Sequence, residues 1–92
     1  MESTSQLREA IGIIIRKIPK ELMFDSHYII ATLIKNHSKV YLDFARHTSG
    51  SARDVHNKIA KNIDRNLAKK TGNSYSYNIH WKASKCALWK RL

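Results

Sequence analysis

The sequence predicts one mainly α-helical domain that ends in a small antiparallel β-hairpin. Three observations predict it. Apolar residues recur at helical spacing through most of the first 70 positions. The period changes to twofold after Asn73. At 92 residues the chain is too short to bury two separate cores, so residues 1–92 read as a single domain. With 42% hydrophobic and 26% charged residues, the composition is that of a folded globular chain.

The first element is a helix over residues 4–18. Ser3 and Gln6 have capping-box spacing, and Leu7, Ala10, Ile11, Ile14, Ile15 and Ile18 share an arc of roughly 140° before Pro19 stops the run. Ile13 falls outside that arc, which makes it either a single exposed apolar residue or a contact with a second copy of the chain. After Pro19-Lys20-Glu21, Phe24-Asp25 offers a staple and a cap for helical structure over residues 26–47. Ile29, Ile30, Leu33 and Ile34 form its first apolar side, and Val40, Tyr41, Phe44 and Ala45 its second. Asn36-His37-Ser38 interrupts the pattern, and the segment reads as one helix or as two meeting at a turn.

His47-Thr48-Ser49-Gly50-Ser51 is a loop, and Ser51 caps a long helix over residues 52–71 that Gly72 closes. Ala52, Val55, His56, Ile59, Ile63 and Leu67 make its apolar stripe, with Lys58, Lys61, Arg65 and Lys69 within about 80° of one another on nearly the opposite side. Residues 74–92 follow as the hairpin. Tyr75, Tyr77, Ile79 and Trp81 alternate with polar residues and are expected to pack on the helices, Lys82-Ala83-Ser84-Lys85 is the expected turn, and Cys86 to Leu92 return as the partner strand. Cys86, the one cysteine, reads as a packed thiol.

Over residues 26–92 this order of helices followed by a hairpin resembles the winged-helix class, and a winged-helix-like α+β module is the expected architecture. The resemblance lies in the order of elements. It implies a helix in the DNA major groove with the hairpin flanking it along the backbone. The helix over residues 4–18 would then cover the module or join two copies into a homodimer.

Charge supplies the functional expectation. Seventeen basic against seven acidic side chains give a net charge of +10, which favours a polyanionic partner. Residues 1–46 carry seven basic and five acidic side chains, residues 47–92 ten basic and only Asp54 and Asp64. A field concentrated in one half of the chain is what a docking surface requires. Lys58, Lys61, Arg65 and Lys69 are candidates for phosphates, and Asn57 and Asn62 for base edges or backbone. Lys82 and Lys85 at the hairpin turn, with Lys90 and Arg91 on the return strand, form a second basic element. The reading is a nucleic-acid-binding protein, with duplex DNA favoured over RNA. One alternative is a module for an acidic protein partner. Another is a binder of single-stranded RNA or DNA that stacks bases on Tyr75, Tyr77 and Trp81.

Other classes find little support. The five histidines lack His-x-x-x-His spacing, and Asp54 and Asp64 are ten positions apart, so neither a metal site nor a two-metal nuclease assembles. Gly12, Gly50 and Gly72 make no phosphate loop, and neither catalysis nor a cofactor is expected. The longest apolar run is Ile13-Ile14-Ile15, and Met1-Glu2-Ser3-Thr4 is unlike the start of a secretory signal, so a cytoplasmic protein without membrane association is expected. A lone cysteine agrees with a reducing compartment.

Overall fold

Isoleucine-rich periodicity near the N-terminus becomes the first helix of an α+β fold with four helices and a three-stranded antiparallel sheet. The computed structural model describes residues 2–92, with side chains from Thr4 onward. Helix α1 spans Glu2–Arg16. The Ser3–Gln6 capping box lies outside the described side chains. Leu7, Ala10, Ile11, Ile14 and Ile15 are buried and α1 packs on the two helices that follow it, so its stripe closes the chain's own core. Ile13 stands apart at 37% exposure. Ahead of Pro19 the helix tightens, with Lys17 N–H donating to the Ile14 carbonyl and Ile18 N–H to the Ile15 carbonyl.

Strand β1 is Met23–Asp25, three residues that are too few to show a period in sequence. Asp25 then caps α2, Ser26–Asn36, and its Oδ1 accepts from Tyr28 N–H at 2.8 Å. The segment over residues 26–47 is two helices. His37, with φ −135° and ψ 44°, ends α2 and starts α3, Ser38–Arg46. Ile29, Ile30 and Leu33 of α2 and Phe44 of α3 enter the same core as α1.

Ser51 starts α4, Ala52–Lys61, through a full capping box. Its Oγ accepts from Asp54 N–H while Asp54 Oδ2 accepts from Ser51 N–H at 2.9 Å. The expected helix over 52–71 is thus half as long as its apolar stripe suggested. Ile63 is buried as expected, but Asn62 and Asp64 offer the backbone other partners. Asn62 Nδ2 donates to the Lys58 carbonyl, Asp64 Oδ1 accepts from Asn66 N–H, and the Asp64 carbonyl accepts from Leu67 and Ala68 N–H. Chain that was expected to be helix is therefore a turn and the start of β2, Ala68–Tyr77. Gly72 ends no helix. It sits at a bulge in β2 with φ 157°, a conformation L side chains rarely adopt.

Strand β3, Ala83–Arg91, lies between the other two, giving the order β1-β3-β2. The β2–β3 connection is Asn78–Lys82, earlier than the expected turn at 82–85. Asn78 Oδ1 accepts from both His80 N–H and Lys82 N–H, and Asn78 N–H donates to the Lys82 carbonyl, so one side chain sets the loop.

The face of β2 is also opposite to expectation. Tyr75, Tyr77 and Trp81 are 75%, 65% and 82% exposed, and the half-buried positions are Ser74 and Ser76. Ser74 Oγ donates to Asp25 Oδ2, and His27 at the start of α2 reaches both Ser76 Oγ (2.8 Å) and Ser84 Oγ (3.3 Å), which are register partners. The aromatic that fills the sheet's share of the core is Trp89 of β3, 2% exposed, whose Nε1–H donates to Ser26 Oγ. Replacing Trp89 by Ala is expected to cost about 3–5 kcal/mol. Trp81→Ala is expected to stay within about 0.5 kcal/mol, as surface substitutions usually do. Urea unfolding followed by circular dichroism compares the two.

Candidate nucleic-acid interface

Burying Val55 and Ile59 orients α4. At about 100° per residue, Arg53, Asn57 and Lys61 each advance by about 40° and centre about 180° from that buried pair. All three are exposed, in line along the outer side of the helix. Asp54 is the one carboxylate on α4, and its charge is committed to the cap. Hydrogen bonds from the Ser51 backbone and hydroxyl hold its carboxyl below the usual range.

The loop Asn78–Lys82 and the adjoining end of β3 approach α4 across a cavity of about 740 Å³. Arg53, His56, Asn57 and Lys61 line it from α4, Asn78 and His80 from the loop, and Ser84, Lys85 and Cys86 from β3. His27 and Ile30 of α2 complete its inner wall. None of the lining residues is acidic. A concave surface with lysine and arginine on two walls and no carboxylate attracts anions.

The ten residues singled out in the sequence divide between two ends of the fold. Asn57, Lys58 and Lys61 are exposed on α4, and Lys82 and Lys85 are exposed at the tip of the β2–β3 ribbon. Lys58 points toward the turn before α4, where it lines a shallow depression with His47, Thr48 and Ser49. The expected single helical face of Lys58, Lys61, Arg65 and Lys69 does not exist, because α4 ends at Lys61. Lys69 and Lys90 are register partners at the far end of the ribbon, eight residues from Tyr77, or about 26 Å at 3.3 Å per residue.

Several of the remaining residues have partners within the chain. Arg65 lies over the Trp89 ring at 5.0 Å. Asn62 is half-buried, its Oδ1 accepting from Arg8 Nε at 2.8 Å. Lys90 pairs with Glu21 at 2.7 Å, and this contact holds the Glu21 carboxyl below its usual range. Arg91 donates through Nε to the Ile15 carbonyl at 3.0 Å. Sequence reasoning missed Arg53. Its signal was present in the four-residue spacing to Asn57 and again to Lys61.

His56 is half-buried on the cavity's inner wall and hydrogen bonds to Tyr41 Oη through Nε2 at 2.9 Å. Burial lowers its pKa, and the nearby His80 and His27 lower it further. Burial also raises the pKa of Tyr41, so its hydroxyl keeps its proton beside the ring. Cys86 is half-buried rather than enclosed, with its Sγ 4.0 Å from Ser76 Oγ. Among the described residues no group of three or more His, Cys, Asp or Glu could hold a metal ion, and no helix is long and apolar enough to cross a membrane.

The depressed His56 pKa has a signed consequence. Above the ordinary value of 6.5 the ring is neutral in both folded and unfolded chains, so it adds no pH dependence. Below that value the unfolded chain takes up the proton first. Stability is expected to fall as the pH drops from 6.5 through the lowered folded value, and His56→Gln to flatten that limb of a Tm-against-pH curve. No family model, curated protein or solved structure matches the chain.

Proposed function

We propose that the protein binds duplex DNA, with α4 entering the major groove and the β2–β3 tip lying against the backbone, in a winged-helix-like arrangement. The observation that carries this reading is the line of Arg53, Asn57 and Lys61 opposite the buried side of α4, facing a carboxylate-free cavity whose other wall is the basic tip. The Asn57 amide can donate to adenine N7 and accept from its N6 amino group in the major groove, and Arg53 and Lys61 suit guanine or flanking phosphates. Lys82 and Lys85 supply phosphate contacts from the tip, and Lys58 extends the basic edge of α4.

Local topology supports the same reading. Helix α3, a short turn and α4 precede the ribbon, and β1 pairs on its inner strand. The reading is of a single copy, since α1 commits its isoleucine stripe to the core and leaves Ile13 as its large exposed apolar residue. Lys69 and Lys90 at the far end of the ribbon take no part in the proposed contact.

Fluorescence anisotropy with labelled duplex DNA at several salt concentrations tests it. The wild type is expected to lose affinity steeply with salt, with a log-log slope of about −0.9 for each phosphate neutralised. Arg53→Glu with Lys61→Glu is expected to abolish binding and leave helicity and Tm nearly unchanged, whereas Lys90→Glu leaves binding nearly intact. Undiminished duplex binding by the double variant would remove α4 from the interface.

A further inference from the structure

The most conspicuous surface feature outside the proposed duplex contact is aromatic. Tyr75 and Tyr77 stand out from β2, an edge strand, and Trp81 stands out from the loop beyond it. Tyr77 and Trp81 form a tilted pair with ring centroids 6.3 Å apart. Trp81 holds φ 60°, a left-handed conformation that bulky residues rarely take, and its N–H donates to the Asn78 carbonyl. The loop thus presents the indole to solvent through a backbone conformation that a smaller residue would adopt at less cost.

Three open rings on a short basic ribbon suit a partner that is both flat and anionic. From Arg65 to Leu92 the chain has seven basic residues and no acidic one, and Tyr75 is the register partner of Lys85. Unpaired nucleotides combine these properties, since each base offers a π face and each phosphate a negative charge. Spacing separates an unpaired strand from a duplex. Alternate strand residues lie about 6.7 Å apart, roughly twice the 3.4 Å rise per nucleotide of stacked DNA. Tyr75 and Tyr77 therefore suit bases that have been drawn apart.

We infer that the Tyr75–Tyr77–Trp81 row is a stacking site for unpaired bases, and that the protein prefers a junction where duplex opens into single strand. The junction preference rests on the proposed duplex contact of α4; the stacking site does not. Lys85 links the two, because it lines the cavity beside α4 and pairs in register with Tyr75.

The test compares a blunt duplex, the same duplex with unpaired thymidine arms, and oligo(dT), by anisotropy and by tryptophan emission. Trp89 is enclosed, so quenching on binding reports Trp81. The wild type is expected to bind the armed duplex at least tenfold more tightly than the blunt one, with oligo(dT) quenching Trp81. Tyr75→Ala with Tyr77→Ala is expected to erase that preference at unchanged blunt-duplex affinity, and the paired Phe substitutions to retain it. Equal affinity for armed and blunt duplex, or a preference that survives the Ala pair, overturns the inference. So does tighter binding to phosphatidylserine vesicles than to oligo(dT). Loss of blunt-duplex binding in Arg53→Glu with Lys61→Glu, with Trp81 still quenched by oligo(dT), supports both sites. Absence of duplex binding in the wild type, with that quenching intact, defeats the α4 reading together with the junction preference that rests on it, and leaves the stacking site standing.

Discussion

Burial of the Trp89 indole is the contact on which most of this structure depends. Trp89 sits on the central strand, opposite Phe24 of β1 and Lys70 of β2, and its ring nitrogen is satisfied by Ser26 at the start of α2. Arg65, in the turn after α4, covers the ring. One side chain therefore joins all three strands to a helix start and to the segment that ends α4. An indole buried without a partner for its N–H would lose much of what its area contributes, so Ser26, itself buried, is part of the same device. Because α2 is fixed to the sheet here, Asp25 and His27 are in place to take the serine hydroxyls of the ribbon.

That arrangement explains which parts of the fold were readable from sequence. Helices α1 and α2 and the start of α4 follow from stripes and caps whose partners lie within a few residues, and local chemistry decides them. The face of β2 was not readable in this way. Alternation of Tyr75 and Tyr77 with Ser74 and Ser76 gives a twofold period, but a period does not say which side is inside. The answer lies 49 residues away, in Asp25 and His27, which make the serine side the one with partners. Hydrophobicity pointed the other way because Trp89 already fills the position that the tyrosines would have taken.

The candidate interface shows the same division. Asn57, Lys58 and Lys61 could be placed on a helix surface from their spacing, since the buried pair Val55 and Ile59 orients that helix. Arg65 and Lys69 continued the pattern only because Ile63 and Leu67 happen to follow at helical intervals past the true helix end. Polar residues between them hydrogen bond the backbone locally, and this competition outweighs the apolar spacing. Lys90 and Arg91 have intramolecular partners on elements far away in sequence, which no count of charges would reveal. Counting charge along the chain does not separate side chains that stand free at the surface from those with partners inside the fold.

Placing β3 at the centre of the sheet also orders events in time. A chain made from its N-terminus has all four helices and β1 before the strand that joins them exists, and the pairing of Met23–Asp25 with Leu88–Lys90 spans most of the sequence. Until then Phe24 lacks its register partner Trp89, and the core that the helices form lacks its indole. Folding is thus expected to wait for β3, with long-range strand pairing as the slow step, and the apolar faces of the helices open to chaperones in the interval.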